Sequence, residues 1–187
     1  MPSINHAIAW RHHLWFVLLV AASLGLSTTF ACATPLVAFG AAAALTLPSR
    51  DALRLIGVIW FTDQVFGYAV LHYPTTVNSV LWGAIMGVAA VLATIATQRA
   101  LQRWAGRPRV VAAAAFLVAF AVYQAVLIVP ALLGLGGLGG FKPAVIGRVF
   151  VINLVTLAGL MAFHSLGRAV GIAVQSSVPI PWTRRPA

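Results

Sequence analysis

Long apolar runs separated by short polar or basic segments dominate this sequence. A run of about 20 apolar residues is long enough to cross the hydrocarbon core of a bilayer as a helix. Backbone groups in lipid must form their hydrogen bonds within the segment, so the runs predict helices and not strands. The pattern predicts an all-α, polytopic membrane protein, a bundle of six transmembrane helices over residues 14–31, 35–48, 53–73, 77–98, 110–133 and 145–167.

The composition agrees with a membrane protein. Of 187 residues, 61% are hydrophobic and 7% are charged, which is too few charges to cover the surface of a soluble domain. We expect one transmembrane domain over residues 1–187, with a flexible, proline-containing tail from about residue 175. The second run is short, and Gly40 with Ala41–Ala44 predicts close packing against a neighbouring helix.

The net charge of +10 reflects topology more than binding partners. With six spans, only Lys142 and Arg148 fall on one face, which leaves ten of the twelve basic residues on the other. These ten are Arg11, Arg50, Arg54, Arg99, Arg103, Arg107, Arg109, Arg168, Arg184 and Arg185. The positive-inside rule then predicts cytoplasmic termini in a cell inner membrane. Such a basic rim faces anionic membrane lipid, and nucleic acid is not an expected partner.

The N-terminus allows a second interpretation. Arg11-His12-His13, the apolar stretch from Leu14 and the small residues Ala31-Cys32-Ala33 resemble a secretory signal peptide with a cleavage site. An uncleaved first span has the same pattern, so both interpretations stay open. Cys32 is the only cysteine; it cannot form an internal disulfide and is expected to act as a small buried apolar residue.

Asp63 is the most informative single residue. It is one of two acidic residues in the chain and lies in the middle of the third apolar run. A carboxylate at that depth is costly, so such residues are functional candidates. Trp60, Gln64, Tyr68 and His72 follow one another at steps of four and are expected on one helix face. The alternative is a stripe of polar residues that holds helices together.

Uncharged polar and aromatic residues concentrate in the predicted outer half of the spans. This asymmetry predicts a cavity open to the exterior that binds a small organic ligand, with Asp63 and Gln64 at its floor. Trp82 is expected to stack on the ligand, and Arg148 to lie at the rim. Replacing Gln124 or Asn153 by Leu is expected to weaken binding without loss of folding. The predicted substrate-binding residues are Asp63, Gln64, Tyr68, His72, Trp82, Gln124, Arg148 and Asn153.

Glycine and other small residues mark two further features. The segment Leu133–Gly140 is rich in glycine and is expected to be a flexible lid over the cavity or a linker between spans five and six. Gly83-x3-Gly87, extended by Ala90, and Ala21-x3-Gly25 form small-residue grooves. Such grooves serve either packing inside the bundle or docking of a partner subunit.

A family resemblance rests on the stretch Asp63-Gln64-x2-Gly67-Tyr68-x2-Leu71-x-Tyr73-Pro74, followed by Trp82-Gly83. This stretch and the six short spans resemble the solitary substrate-binding S components of energy-coupling-factor vitamin transporters of proteobacteria, some of them associated with cobalamin uptake. The resemblance implies that three loops cover the substrate: Thr28–Pro35, His72–Asn78 and Leu133–Pro143. The family docks on a coupling subunit through two alanines four apart, which Ala21 and Gly25 match loosely. The charged pair of biotin-binding members is not visible in span six.

Other classes of function find less support in the sequence. There is no Ser-His-Asp arrangement, no carboxylate pair and no metal-ligand cluster, so we expect neither an enzyme nor a bound cofactor. No nucleotide-binding Gly-x4-Gly-Lys-Ser/Thr motif occurs, so an ATPase module would have to come from a coupling partner. The alternative is a structural or assembly subunit, or a subunit that holds b-type haem. His72 and His164 differ in predicted depth, which leaves His12 or His13 with His164 as the haem pair.

Overall fold

The structure, a computed structural model, describes Leu14, residues 16–25, 35–103 and 108–169, with the backbone alone at 108–110. Over these ranges the chain folds into six α-helices and no strands, which confirms the predicted all-α class. The predictions for Cys32, for His12 and His13, for the cleavage site and for the tail lie outside the described residues. The helices are α1 Phe16–Gly25, α2 Leu36–Thr46, α3 Ser49–Ala69, α4 Val77–Arg103, α5 Pro108–Pro130 and α6 Pro143–Ala169.

Prolines set the start of four helices. Pro108 and Pro143 are the first residues of α5 and α6, and Pro35 and Pro48 directly precede α2 and α3. The first turn of a helix has no internal acceptor for its N–H groups, so a proline there costs no hydrogen bond. A residue before proline avoids the helical region, and Leu47 is extended (φ −121°, ψ 155°). Pro48 therefore ends α2 and directly precedes α3, which begins at Ser49, four residues before the predicted start of the third span.

The short helix α2 lies at the centre of the bundle. It packs against α3, α4, α5 and α6, and Leu36 to Ala44 are all buried. This burial confirms the close packing predicted from Gly40 and the alanine run. With 11 residues, α2 rises about 16 Å, roughly half of the 30 Å hydrocarbon core of a bilayer.

The contacts of α2 place it beside the second half of α4. Gly40 lies against Thr94, where a Cβ atom would come within 2.6 Å of the Thr94 Oγ1. Just beyond α2, the Gln98 Nε2 donates to the Ser49 carbonyl over 3.3 Å. At the other end of α4, the Tyr68 and Ser79 hydroxyls are 3.2 Å apart. Helix α2 therefore occupies the bundle axis only from mid-depth to the end where α4 finishes.

Three helices are long and apolar enough to cross a membrane: Val77–Arg103, Val111–Leu135 and Pro143–Ala169. Much of their surface consists of exposed large apolar side chains, among them Val80, Val88, Leu117, Val155 and Leu166. An apolar surface of this extent is suited to lipid and not to water. We conclude that the chain is a helical membrane protein.

The start of α2 is capped by a side chain from another helix. Pro35 offers no side-chain cap, but the Asn153 Oδ1 on α6 accepts a hydrogen bond from the backbone N–H of Ala38 over 3.0 Å. The Asn153 Nδ2 donates to the Val149 carbonyl over 2.9 Å. Asn153 is only 2% exposed, so this amide satisfies a helix-end donor that water cannot reach easily.

The cap changes the expectation for variants of Asn153. Replacing Asn153 by Leu or Ala leaves the Ala38 N–H without its acceptor and should destabilise the fold by about 1–3 kcal/mol. This differs from the sequence-based expectation that folding stays intact. The measurement is denaturant unfolding in detergent, with Asn78→Ala, at an exposed position of α4, as the control. Equal stability of the two variants would show that the cap contributes little.

Candidate functional site

Two of the predicted site residues, Gln64 and Tyr68, form a seam between α3 and α4 together with Trp60. The Trp60 Nε1 donates to the Gly83 carbonyl over 2.8 Å, and its ring lies against Gly87. The Gln64 side chain lies against Gly83, and Tyr68 meets Ser79. Residues four apart on α3 thus meet residues four apart on the antiparallel α4, in the order Gly87, Gly83 and Ser79. The large side chains of α3 enter the gaps that small residues leave on α4, which is the interhelical arrangement that the sequence left open.

The seam ends before His72, because α3 ends at Ala69 and not at Tyr73 as predicted. His72 has a φ of 55°, the left-handed conformation that non-glycine residues rarely adopt. A wide turn follows, in which the Tyr73 N–H donates to the Gly67 carbonyl over 3.0 Å and the Tyr73 ring covers Gly67. The prediction that His72 shares one helix face with Tyr68 is therefore wrong, and His72 lies exposed in the loop.

Asp63 lies on a different face of α3 from its neighbour Gln64. It continues the spacing of Ala52, Ile56 and Ile59, all of which are fully buried, along the face of α3 that points to the core. Tyr123 is itself buried on the inner face of α5, one turn beyond Ala119 and Phe120 and two turns beyond Phe116. Asp63 is half-buried on this face, whereas Tyr123 is buried in the core.

The remaining predicted residues lie at different levels of the bundle. Gln124 is half-buried on α5 beside Tyr123, and Asn153 is buried at the start of α2. Trp82 is half-buried, with its ring against the backbone of Gly137, whereas Arg148 is exposed near the start of α6. Their contact with a ligand stays a prediction. Of these residues, the structure places Asn153 in the interior at the start of α2.

The glycine segment after α5 has defined local structure. Residues Ala131–Leu135 form a π turn and Leu138–Phe141 a 3-10 turn. Gly134, Gly136 and Gly137 adopt positive φ values of 96°, 83° and 83°, which glycine accepts at little cost. At Gly137 a Cβ atom would come within 3.0 Å of the Trp82 ring, so the loop closes tightly on the start of α4.

Tyr123 belongs to the interior cluster but was not among the predicted site residues. The available signal was the spacing of Phe116, Phe120 and Tyr123, which a buried face requires.

The charged side chains of the described helices gather at their ends. Arg50, Arg54, Arg99, Arg103 and Arg168 are exposed at the end that the Gln98–Ser49 hydrogen bond defines. The second acid, Asp51, lies there too, with its Oδ1 3.4 Å from the Arg54 Nη1. Lys142 and Arg148 lie at the start of α6, at the opposite end. Asp63 is thus the one formal charge between Arg54 and Arg99.

The histidines of the described residues do not form a haem or metal site. His72 lies in the loop before α4, whereas His164 is buried near the end of α6, at the opposite end of the bundle. Among the residues described, no three His, Cys, Asp or Glu side chains gather in a way that could hold a metal ion. The proposed pairing of His164 with His12 or His13 involves residues outside the description.

Comparison with known proteins does not extend this description: no family model, curated protein or solved structure matches the chain.

The seam predicts a sharp difference between two glycines. A Cβ atom on Gly87 would lie 2.6 Å from the Trp60 Cε2 in a rigid ring, so Gly87→Ala should destabilise the fold by about 1–3 kcal/mol. Gly159 on α6 has no heavy atom within 4 Å of a Cβ position, and Gly159→Ala should be neutral or stabilising by up to about 1 kcal/mol. Thermal unfolding in detergent measures both, and equal effects would contradict the seam.

Proposed function

We propose that this protein takes up a small organic nutrient, a vitamin such as cobalamin or a related compound, which it binds from the exterior and carries inward. The observation that carries this proposal is the arrangement of the bundle axis. Helix α2 fills the axis from mid-depth to the basic end, and the buried Asn153 amide caps its start at Ala38. A ligand would then enter from the end opposite the arginines.

The proposal includes a topology. The gathering of arginines at one end favours a cytoplasmic location for that end and for both termini, in a cell inner membrane. It treats all six helices as one transmembrane bundle, in which α2 is enclosed by longer neighbours and needs no contact with lipid. Anionic lipid would contact the basic rim.

The source of energy is also part of the proposal. The sequence contains no nucleotide-binding motif, so a coupling transmembrane subunit with ATPases would drive uptake, unless the protein acts alone as a slow facilitator. The groove Gly83-x3-Gly87 does not provide the docking surface for such a subunit, because Gln64 and Trp60 occupy it. Ala21 and Gly25 on α1 are exposed and remain the candidate docking residues.

The topology predicts the accessibility of single cysteines. In a Cys32→Ser background, His72→Cys and Lys142→Cys should react with a membrane-impermeant maleimide in right-side-out vesicles. Arg50→Cys and Arg103→Cys should react only in inside-out vesicles, because all four positions are exposed but lie at opposite ends. Labelling of both sets from the same side would contradict the proposed orientation.

The uptake function predicts a growth and transport phenotype. Deleting the gene in a strain that requires an external vitamin should abolish accumulation of one labelled vitamin, and a plasmid copy should restore it. Cyanocobalamin is the first ligand to test, followed by thiamine, riboflavin and biotin. Unchanged uptake of all four would argue for a structural or assembly subunit in place of a carrier.

A further inference from the structure

The start of α3 and the end of α4 form a basic corner of the bundle. The Gln98 Nε2 donates to the Ser49 carbonyl over 3.3 Å, and this hydrogen bond joins the two helix ends. Arg50 and Arg99 are the residues that directly follow this pair in the sequence, and both are exposed. The two arginines, which come from different helices, therefore lie at the same end and at the same depth of the bundle.

The arginines of this corner continue the apolar faces that α3 and α4 turn away from the core. Arg50, Arg54 and Val58 follow one another at steps of four along α3, and all three are exposed. On α4, Arg99 lies two turns beyond the exposed Leu92. Each row of exposed apolar side chains thus ends in an arginine. Arginines at the end of a lipid-facing surface lie at the depth of the lipid headgroups.

Gly57 marks a gap in the groove between these two helices. It precedes Trp60 by three residues and Gln64 by seven, so it lies on the side of α3 that faces α4. Beside Trp60 and Gln64 the groove is filled, because their side chains lie against glycines of α4. At Gly57 no heavy atom of the described residues lies within 4 Å of a Cβ position. The rise of the helix puts this gap about 10 Å deeper than Arg50, at the level of lipid acyl chains.

The charge of the corner indicates the class of ligand that it suits. Arg50, Arg54 and Arg99 are accompanied by one acid, Asp51, whose Oδ1 lies 3.4 Å from the Arg54 Nη1. The other acid of the chain, Asp63, lies deeper along α3. Three arginines and one carboxylate leave a net charge of +2, which complements a headgroup with two phosphates. Basic sites between membrane helices bind such headgroups, and arginine forms bidentate hydrogen bonds with phosphate.

We propose that the groove between α3 and α4 binds one phospholipid of the cardiolipin class, which carries two phosphates, at the basic end of the bundle. Arg50 and Arg99 bind its phosphates, and an acyl chain lies against Gly57. The proposal goes beyond the general attraction of a basic rim for anionic lipid, because it assigns one lipid to one groove. It does not depend on the uptake function.

The test uses the purified, delipidated full-length protein in detergent and native mass spectrometry. The probes are tetraoleoyl cardiolipin, dioleoyl phosphatidylglycerol and dioleoyl phosphatidylcholine. One cardiolipin per chain should bind about tenfold or more tightly than either of the other lipids. Arg50→Gln combined with Arg99→Gln should weaken the binding of cardiolipin by about tenfold or more, because both phosphates lose an arginine.

The matched control removes the same charge elsewhere. Lys142→Gln combined with Arg168→Gln changes two exposed positions at the ends of α6, which packs against α2, and should leave the affinity for cardiolipin nearly unchanged. Thermal unfolding without added lipid shows whether each variant is folded. If the variant at Arg50 and Arg99 does not fold, Arg99→Gln alone carries the test.

A second pair of variants tests the groove without a change of charge. Gly57→Leu fills the gap and should also weaken the binding of cardiolipin. Gly159→Leu adds the same side chain at an open position of α6 and should not affect it.

Each result either supports or overturns the lipid site. Equal losses in the two double variants would show that net charge alone attracts the lipid, and would overturn the site. Equal affinities for cardiolipin and phosphatidylglycerol, or unchanged binding in Gly57→Leu, would overturn it as well. Preference for cardiolipin that depends on Arg50, Arg99 and Gly57, and not on Lys142, Arg168 and Gly159, supports it.

Discussion

Enclosure of one short, uncharged helix is the constraint on which the rest of the bundle depends. Helix α2 has almost no polar side chain, and four helices must surround it to bury it on every side. Its small residues allow this, because Gly40 and the alanines after it let α4 approach closely. The hydrogen bond from Ala38 to Asn153 supplies a helix-end acceptor that the local sequence does not provide. The positions of α3 to α6 follow from contact with this helix.

The polar residues of α3 fall into two groups that lie on different faces of the helix. Trp60, Gln64 and Tyr68 face α4, where glycines and a serine leave room for them. Asp63 is rotated by about 100° from Gln64, because consecutive residues of a helix differ by that angle, and it faces the interior. Packing thus accounts for the first set, and Asp63 is the polar residue of α3 that this packing does not require.

Much of the fold could be predicted from the sequence, because the length of apolar runs depends on composition alone. The helices over residues 77–103 and 143–169 lie within a few residues of the predicted spans, and the groove at Gly83 and Gly87 packs as small residues should. The end of α3 could not be predicted, since the apolar run continues through Leu71 while the chain already turns at Val70. Nor could the rotation of each helix, so the capping role of Asn153 emerged only from the structure. Ligand contact by the predicted site residues remains a prediction.

The two-residue connection between α2 and α3 has a mechanical consequence. Leu47 and Pro48 are the only residues between the helices, Leu47 is extended and buried, and the next residue, Ser49, is held by Gln98 of α4. Such a short, extended connection cannot lengthen further, so α2 cannot shift along the axis without moving the start of α3. Any opening of the inner half would therefore tilt α3 and disturb its seam with α4. The position of α2 along the bundle axis and the packing of α3 against α4 are therefore linked through this two-residue connection.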